Sequence, residues 1–202
     1  VFYVYKLYLG ENVPFMEIGG IFGDNNIEEI EVSPANPNFK EKDNVLFNSD
    51  YSNIVYFPGT ITGTYEIPGT VTKISDGVFA SKSIEKVIIP ASVETIGVRA
   101  FFGAKLLTTV EFKDGENAAD LVIEENAFDR CVSLVDINLP SRLKVIKTRA
   151  FYDCGDLVEI IVPEGVEEIG EYAFASCEKL KNVYLPASLK KLGLIGSDNS
   201  GA

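Results

Sequence analysis

Histidine and tryptophan are absent from the 202-residue sequence, and methionine occurs once. Without histidine there is no Ser-His-Asp or Cys-His nucleophile pair, no histidine general base and no histidine-containing zinc site. No apolar run approaches the roughly 18 residues that a membrane-spanning helix needs. These absences exclude many common kinds of active site and predict that this chain does not insert into a membrane.

Basic residues are scarce relative to acidic ones, with 18 Lys and Arg against 30 Asp and Glu and a net charge of −12. Because no basic cluster offsets this charge, we do not expect nucleic acid as a partner. Apolar residues make up 46% of the chain, which is typical of a folded protein. The sequence begins without methionine or a signal peptide, so we expect a mature or trimmed fragment.

Cysteine occurs three times, at Cys131, Cys154 and Cys177. The regular wide spacing lacks the close pairs of zinc sites, and an odd number leaves one thiol without a disulfide partner. The pattern therefore predicts buried free thiols, and we expect neither a bound metal nor a cofactor.

A repeat of about 23 residues organises most of the chain, and the Phe of each repeat marks it most clearly. Successive Phe residues are separated by 22, 27, 23 and 23 positions, and a Pro precedes four of them by 11 residues. A third series, which begins at Ile84, has spacings of 23, 27, 23 and 23. The Phe positions are Phe79, Phe101, Phe128, Phe151 and Phe174. The three series agree on the unit L-x-x-I-x-L-P-x-x-L-x-x-I-G-x-x-A-F-x-x-C and place a four-residue insertion between Lys113 and Phe128.

Each part of the unit has a physical interpretation. The alternating apolar residues before Pro favour a short strand, which Pro then ends because it has no N–H for a ladder. One unit cannot bury its own apolar side, so units must stack with strands about 4.8 Å apart. The sequence predicts a right-handed solenoid with a parallel sheet on one face.

The residues of this unit resemble BspA-like leucine-rich repeats, with the closest agreement over residues 67–192. The resemblance implies a leucine-rich-repeat solenoid with a parallel β-sheet on one face and short strands, turns and short helical segments on the others. We predict one elongated domain with degenerate units at 1–35, an irregular hairpin-like insertion at 36–66, regular repeats at 67–195 and a flexible tail at 196–202. The insertion in the regular repeats lies near 114–120.

The family resemblance also implies an extracellular or cell-surface protein, without catalytic activity, that binds proteins or adheres to other cells. Its expected partner is a protein or glycan on a host or neighbouring cell surface. The alternatives are a structural spacer that presents another domain and, less favoured, a carbohydrate-active enzyme that uses carboxylates alone.

The candidate binding residues occupy the third and fifth positions of each L-x-x-I-x-L segment, where side chains point away from the core. Solenoids use such a face as an extended binding surface, although an ordinary solvated sheet has the same pattern. The residues are Glu29, Glu31, Lys86, Ile88, Glu111, Asp136, Asn138, Glu159, Ile161 and Tyr184.

Two further features give expectations. The insertion carries Asp114, Glu116, Asn117 and Asp120, which are possible calcium ligands without the spacing of a known calcium loop. After Pro186 the repeat loses its Phe, since Ser197 stands at that position. We therefore expect an open last repeat that either continues into further sequence or associates end to end with another copy.

Overall fold

Short β-strands provide all of the regular secondary structure in the part of the chain that the computed structural model describes, residues 4–15, 27–115 and 118–194. The first nine strands are β1 (Lys6–Leu9), β2 (Glu29–Val32), β3 (Phe39–Lys42), β4 (Val45–Asn48), β5 (Asn53–Tyr56), β6 (Gly63–Glu66), β7 (Lys73–Ile74), β8 (Ile84–Ile89) and β9 (Thr95–Ile96). The others are β10 (Thr109–Phe112), β11 (Leu121–Ile123), β12 (Asp136–Ile137), β13 (Leu143–Ile146), β14 (Glu159–Ile161), β15 (Glu168–Ile169), β16 (Asn182–Tyr184) and β17 (Lys191–Leu192).

The strands stack in parallel ladders whose register follows the repeat. In the first ladder, formed by β6, β8, β10 and β12, Val87 pairs with Val110 and Val110 pairs with Ile137. The second ladder runs from β5 through β7, β9, β11, β13 and β15 to β17, and aligns one apolar residue from each repeat. The predicted solenoid of stacked leucine-rich repeats is confirmed, and equivalent residues face one another along the paired strands of these ladders.

The third side of each repeat, around its Phe, is a turn and not the short helix that the family resemblance implied. Residues two before and two after each Phe have positive φ, as at Arg99 (55°), Arg130 (60°) and Arg149 (55°). This conformation interrupts any helix, and the backbone N–H groups donate instead to carbonyls of the next repeat, as from Phe101 to Ala127 at 2.7 Å. No helix occurs in the described residues, and so none there is able to cross a membrane.

The Phe side chains form a continuous stack through the core. Adjacent ring centroids lie 4.7 Å apart for Phe79 and Phe101, 4.9 Å for Phe101 and Phe128, and 5.2 Å for Phe128 and Phe151, with nearly parallel planes. Phe57, which the repeat alignment missed, extends the stack at 4.6 Å from Phe79. Because these side chains are fully buried, the stack anchors every regular repeat to its neighbours.

Glycine in the Ile-Gly pair permits close approach between repeats. A Cβ at Gly97 would lie 2.7 Å from the carbonyl oxygen of Ile74, and one at Gly170 would collide with the backbone of Lys147 and Thr148. Neither glycine has positive φ. These glycines are therefore required by the close approach of neighbouring repeats and not by backbone conformation.

Residues 36–66 contain a tight β-hairpin, but part of this range belongs to the solenoid. β3 and β4 pair antiparallel around Asp43 and Asn44, which both have positive φ and form the two-residue turn. β5 and β6 then pair in parallel with β7 and β8. The stacked repeats therefore begin before residue 67, because the chain after the hairpin already follows the ladder register.

Arg142 is a buried residue that contacts the insertion near 114–120. It is 7% exposed and donates hydrogen bonds to the carbonyl oxygens of Val93, Ala119 (3.2 Å) and Pro90 (3.2 Å). These hydrogen bonds satisfy backbone carbonyl groups both in the insertion and in the preceding repeat. Glu116 and Asn117 of the calcium candidate lie outside the described residues.

Candidate functional site

The ten candidate binding residues are distributed over three separate sheets. Glu29 and Glu31 lie on β2, which pairs only with β1 among the described strands. The four-stranded sheet carries Lys86 and Ile88 on β8, Glu111 on β10 and Asp136 on β12, and Asn138 follows directly. The third sheet, β14–β16, carries Glu159, Ile161 and Tyr184.

The two carboxylates on β2 form ion pairs with one lysine of the same chain. Lys6 on β1 lies 2.8 Å from a carboxylate oxygen of Glu29 and 2.7 Å from one of Glu31. The hydrogen bonds that Lys6 donates to Glu29, the larger effect, and to Glu31 raise the pKa of Lys6 above its ordinary value. These three side chains keep one net negative charge, but both carboxylates already have a cationic partner.

The middle of the face is also internally paired. Glu111 accepts from Lys86 at 2.7 Å and from Lys113 at 3.0 Å, and the two lysines lower the pKa of its carboxyl. Ile88 was expected to be an exposed apolar residue, but it is only partly exposed. It lies between Glu66 and Glu111 in the ladder, and their side chains flank it.

The C-terminal part of the face combines open carboxylates with exposed apolar side chains. Ile161 is 60% exposed and Tyr184 is 53% exposed, and Asp136, Asn138 and Glu159 are exposed beside them. This arrangement is the closest match to the predicted binding surface, because its polar and apolar groups both face solvent.

A cleft of about 350 Å³ opens in this region between β12 and β14. β12 pairs with β10 and β14 pairs with β16, but β12 and β14 do not pair with each other, so the sheet ends on each side of the cleft. Asp136, Ile137, Asn138 and Leu139 line one side, and Val158, Glu159, Ile161 and Pro163 line the other, with Val135 at the rim. We refer to this feature as the β12–β14 cleft.

The carboxylates of the β12–β14 cleft have amide partners and no cationic ones. The side-chain amide of Asn138 donates to Asp136 at 3.3 Å, and that of Asn182 donates to Glu159 at 3.4 Å. Within the described part of the chain, no lysine or arginine forms an ion pair with either carboxylate. The cleft is thus a negative site with apolar walls.

Sequence reasoning missed several residues of the same surface. Thr64 and Glu66 on β6 pair with Lys86 and Ile88, and the residues Tyr65-Ile67-Pro68 carry a signal that would have found them. Val135 and Val158, which are 53% and 43% exposed, stand one residue before the outward positions. Other repeats have a charged residue at this position, as at Glu85 and Lys181. Valine at the same position of two successive repeats is the signal that was missed.

The three cysteines do not share one environment. Cys131 and Cys154 are fully buried, and burial raises the pKa of both thiols. Each thiol donates to the carbonyl of the Phe one repeat earlier, at 3.1 Å from Cys131 to Phe101 and 3.3 Å from Cys154 to Phe128. Cys177 is only partly buried, which corrects the expectation of three equally enclosed thiols, because fewer residues cover the last described repeat.

Solved structures of bacterial leucine-rich repeat proteins resemble this chain. A leucine-rich cell surface protein of Faecalibacterium prausnitzii A2-165 is 27% identical with a TM-score of 0.65, over 77% of this chain and 45% of its own. A leucine-rich repeat protein of Bacteroides ovatus is 26% identical with a TM-score of 0.57, over 68% of this chain and 38% of its own. The leucine-rich repeat protein of T. pallidum is 26% identical with a TM-score of 0.58, over 80% of this chain and 85% of its own.

The chain therefore spans less than half the length of the first two of these proteins. A comparison with curated proteins returns no significant match. The family model described as a BspA type leucine rich repeat region matches residues 72–195 in six copies. This match covers more than half of the sequence and coincides with the stacked repeats, so the chain belongs to the BspA-type leucine-rich repeat family.

Proposed function

We propose that this chain is a non-catalytic interaction module that binds a protein partner through the C-terminal part of its outward strand face. The observation that carries the proposal is the β12–β14 cleft with Asp136, Glu159 and the exposed Ile161 and Tyr184 beside it. Exposed apolar side chains that lie together beside unpaired carboxylates are typical of an interaction surface.

The rest of the face supports this assignment by contrast. Glu29, Glu31 and Glu111 are ion-paired with lysines of the same chain, and Ile88 is partly covered. Internal pairing of that kind stabilises an ordinary solvated sheet and leaves few groups for recognition. Because the rest of the face is internally paired, the proposed site is assigned to β12, β14 and β16.

An extracellular or cell-surface location belongs to the same proposal. Its support is the similarity to the F. prausnitzii protein, which is described as a cell surface protein. The proposed partner is accordingly a protein on a host or neighbouring cell. The absence of histidine, and a cleft whose only ionisable groups are two solvent-exposed carboxylates, favour binding over catalysis.

Site-specific photo-crosslinking tests the proposal. A photoreactive phenylalanine analogue is placed at position 161 or 184, and in matched variants at position 94 or 190 in the second ladder. Each variant is incubated with surface-protein extracts of candidate host or neighbouring cells, irradiated and analysed for adducts. We expect adducts from positions 161 and 184 that unlabelled wild-type chain competes away and that unlabelled E159Q/Y184A does not.

Adducts of equal yield from both pairs of positions would overturn the assignment of the face. A complete lack of competed adducts from positions 161 and 184 would overturn the binding function and favour the spacer role.

A further inference from the structure

We infer that the β12–β14 cleft receives a single arginine or lysine side chain of the partner protein. This inference rests on the proposed function and specifies what the proposed face recognises. Three properties of the cleft carry it: its size, its two kinds of wall, and the state of its carboxylates.

The size of the cleft suits one long side chain. Its volume of about 350 Å³ lies at the lower end of the range of ligand pockets, about 300–1,000 Å³. The opening is confined to the gap between β12 and β14, because β10 and β16 pair closely with the strands on either side. An extended segment running along the whole face would have to lie above this gap and send one side chain into it.

The walls match a side chain that is apolar along its stem and cationic at its end. Val135, Val158, Ile161 and Pro163 supply apolar surface, on which the methylene groups of arginine or lysine pack well. Asp136 and Glu159 stand on opposite sides of the cleft and supply acceptors for a guanidinium or ammonium group.

The carboxylates are available for such a group. Their hydrogen bonds come from the neutral amides of Asn138 and Asn182, at 3.3 and 3.4 Å, which are long enough to yield to a charged donor. Three other outward acids, Glu29, Glu31 and Glu111, already hold lysines at 2.7–3.0 Å. The chain thus shows, at other outward strand positions, that its carboxylates pair with cationic side chains.

Titration with short blocked peptides tests this inference by two-dimensional NMR of the nitrogen-15-labelled chain. The probes are Ac-Ala-Ala-Xaa-Ala-Ala-amide with arginine, lysine, citrulline or norleucine at Xaa, together with the neutral saccharide cellopentaose. Citrulline keeps the shape of arginine without its charge, and norleucine keeps only the apolar stem.

We expect the arginine and lysine peptides to shift the amide signals of residues 135–139 and 158–161. The citrulline and norleucine peptides should bind about tenfold more weakly, because the charge supplies most of the specificity in such a site. The variant D136N/E159Q should lose about the same factor for arginine, whereas E94Q/E125Q, which removes two exposed acids outside the cleft, should stay within about twofold.

Three outcomes would overturn the inference: equal binding of the norleucine and arginine peptides, unchanged binding in D136N/E159Q, or signal shifts only with the saccharide. Failure of the peptides to bind, while positions 161 and 184 still give competed adducts, would remove this inference and leave the proposed function standing. Failure of both experiments would remove the two together.

Discussion

At the scale of single residues, equivalent repeat positions differ in how deeply they are enclosed. Cys131 and Cys154 are covered on both sides by neighbouring repeats, while Cys177 lies in the last repeat of the regular stack and is partly exposed. Reactivity of a thiol requires both access and the thiolate form, and burial suppresses both. The three cysteines should therefore react at different rates although they share one sequence motif.

Thiol labelling of the native chain checks this difference. We expect one thiol to react quickly with a colorimetric disulfide reagent and two to react only when the protein opens, with all three reacting quickly in denaturant. C177A should remove the fast phase, and C131A should keep it. Three fast thiols in the native chain, or none, would contradict the packing described above.

Asp129 is a second residue whose burial has a measurable consequence. It is 7% exposed, its Oδ1 has no hydrogen-bond partner within the described residues, and the Nε of Arg130 lies 4.0 Å away. Burial raises the pKa of this carboxyl from 3.8 to about 6. The folded state therefore holds a proton that the unfolded chain releases between these values, so the free energy of unfolding decreases as pH rises through this window.

Replacing Asp129 by Asn should remove this pH dependence. We expect D129N to be more stable than the wild type at pH 7, by about 1–2 kcal/mol, and the difference to vanish below about pH 4. Urea unfolding at several pH values measures it, with E94Q as an exposed control. A D129N chain that is less stable at pH 7, or a difference independent of pH, would show that the charged form of Asp129 is stabilising.

At the scale of elements, the Phe stack and the two strand ladders hold the repeats together. Phe128 stacks on Phe101 and Phe151, at 4.9 and 5.2 Å, whereas Phe174 stacks on Phe151 alone among the described residues, at 5.7 Å. Each stacked pair adds roughly 0.5–1.5 kcal/mol to the burial of the rings. A central Phe should accordingly contribute more to stability than the last one.

Alanine substitutions along the stack test this gradient. F128A should reduce the free energy of unfolding by about 3–5 kcal/mol, and F174A by about 0.5–1.5 kcal/mol less than that. Chemical denaturation gives both values, provided that F128A remains folded. F128L, which leaves a smaller void, extends the comparison if it does not. Equal losses at the two positions would mean that stacking between repeats adds nothing beyond burial.

The elements also show how much of the fold could be predicted from the sequence. The Pro, Phe and apolar series predict the repeat and its in-register stacking, because each series marks a buried position. Phe57 was missed because Tyr56 precedes it, whereas Ala precedes four of the other five stacked Phe residues. The implied helical segments were wrong because Arg99 and Arg149 adopt positive φ without a glycine to indicate it.

The sequence predicted several residues of the candidate site but not its shape. The alternation in each L-x-x-I-x-L segment places Asp136, Glu159 and Ile161 on the outward face. The β12–β14 cleft depends on two strands failing to pair, and their sequences alternate as regularly as those of paired strands. The ion pairs were equally difficult to predict from the sequence, because Lys6 and Lys113, which pair with outward acids, lie outside the candidate set.

At the scale of the whole molecule, apolar groups collect at the C-terminal end of the described stack. β16 and β17 are outer strands of their sheets, and Leu185, Leu192 and Leu194 are 42%, 47% and 67% exposed. Outer strands with exposed apolar side chains favour pairing with a further strand. We propose that two copies of this 202-residue chain meet through this end.

Sedimentation velocity over a wide concentration range tests this association. We expect the average sedimentation coefficient to rise with concentration, more so at high salt, because a net charge of −12 opposes the approach of two copies. L192E should abolish the rise, whereas I161E, on the strand face, should preserve it. A concentration-independent monomer, or equal effects of the two variants, would exclude this end as the contact.

The central claim is that the C-terminal part of the outward strand face is where the molecule binds its partner. The most direct measurement is the dissociation constant of the partner captured by crosslinking, compared between E159Q/Y184A and the flank variant E94Q/K190A. We predict that E159Q/Y184A binds at least about tenfold more weakly, since charged and aromatic anchors dominate interfaces, and that the flank variant stays within about twofold. Equal weakening by the two variants, or no weakening by E159Q/Y184A, would contradict the claim.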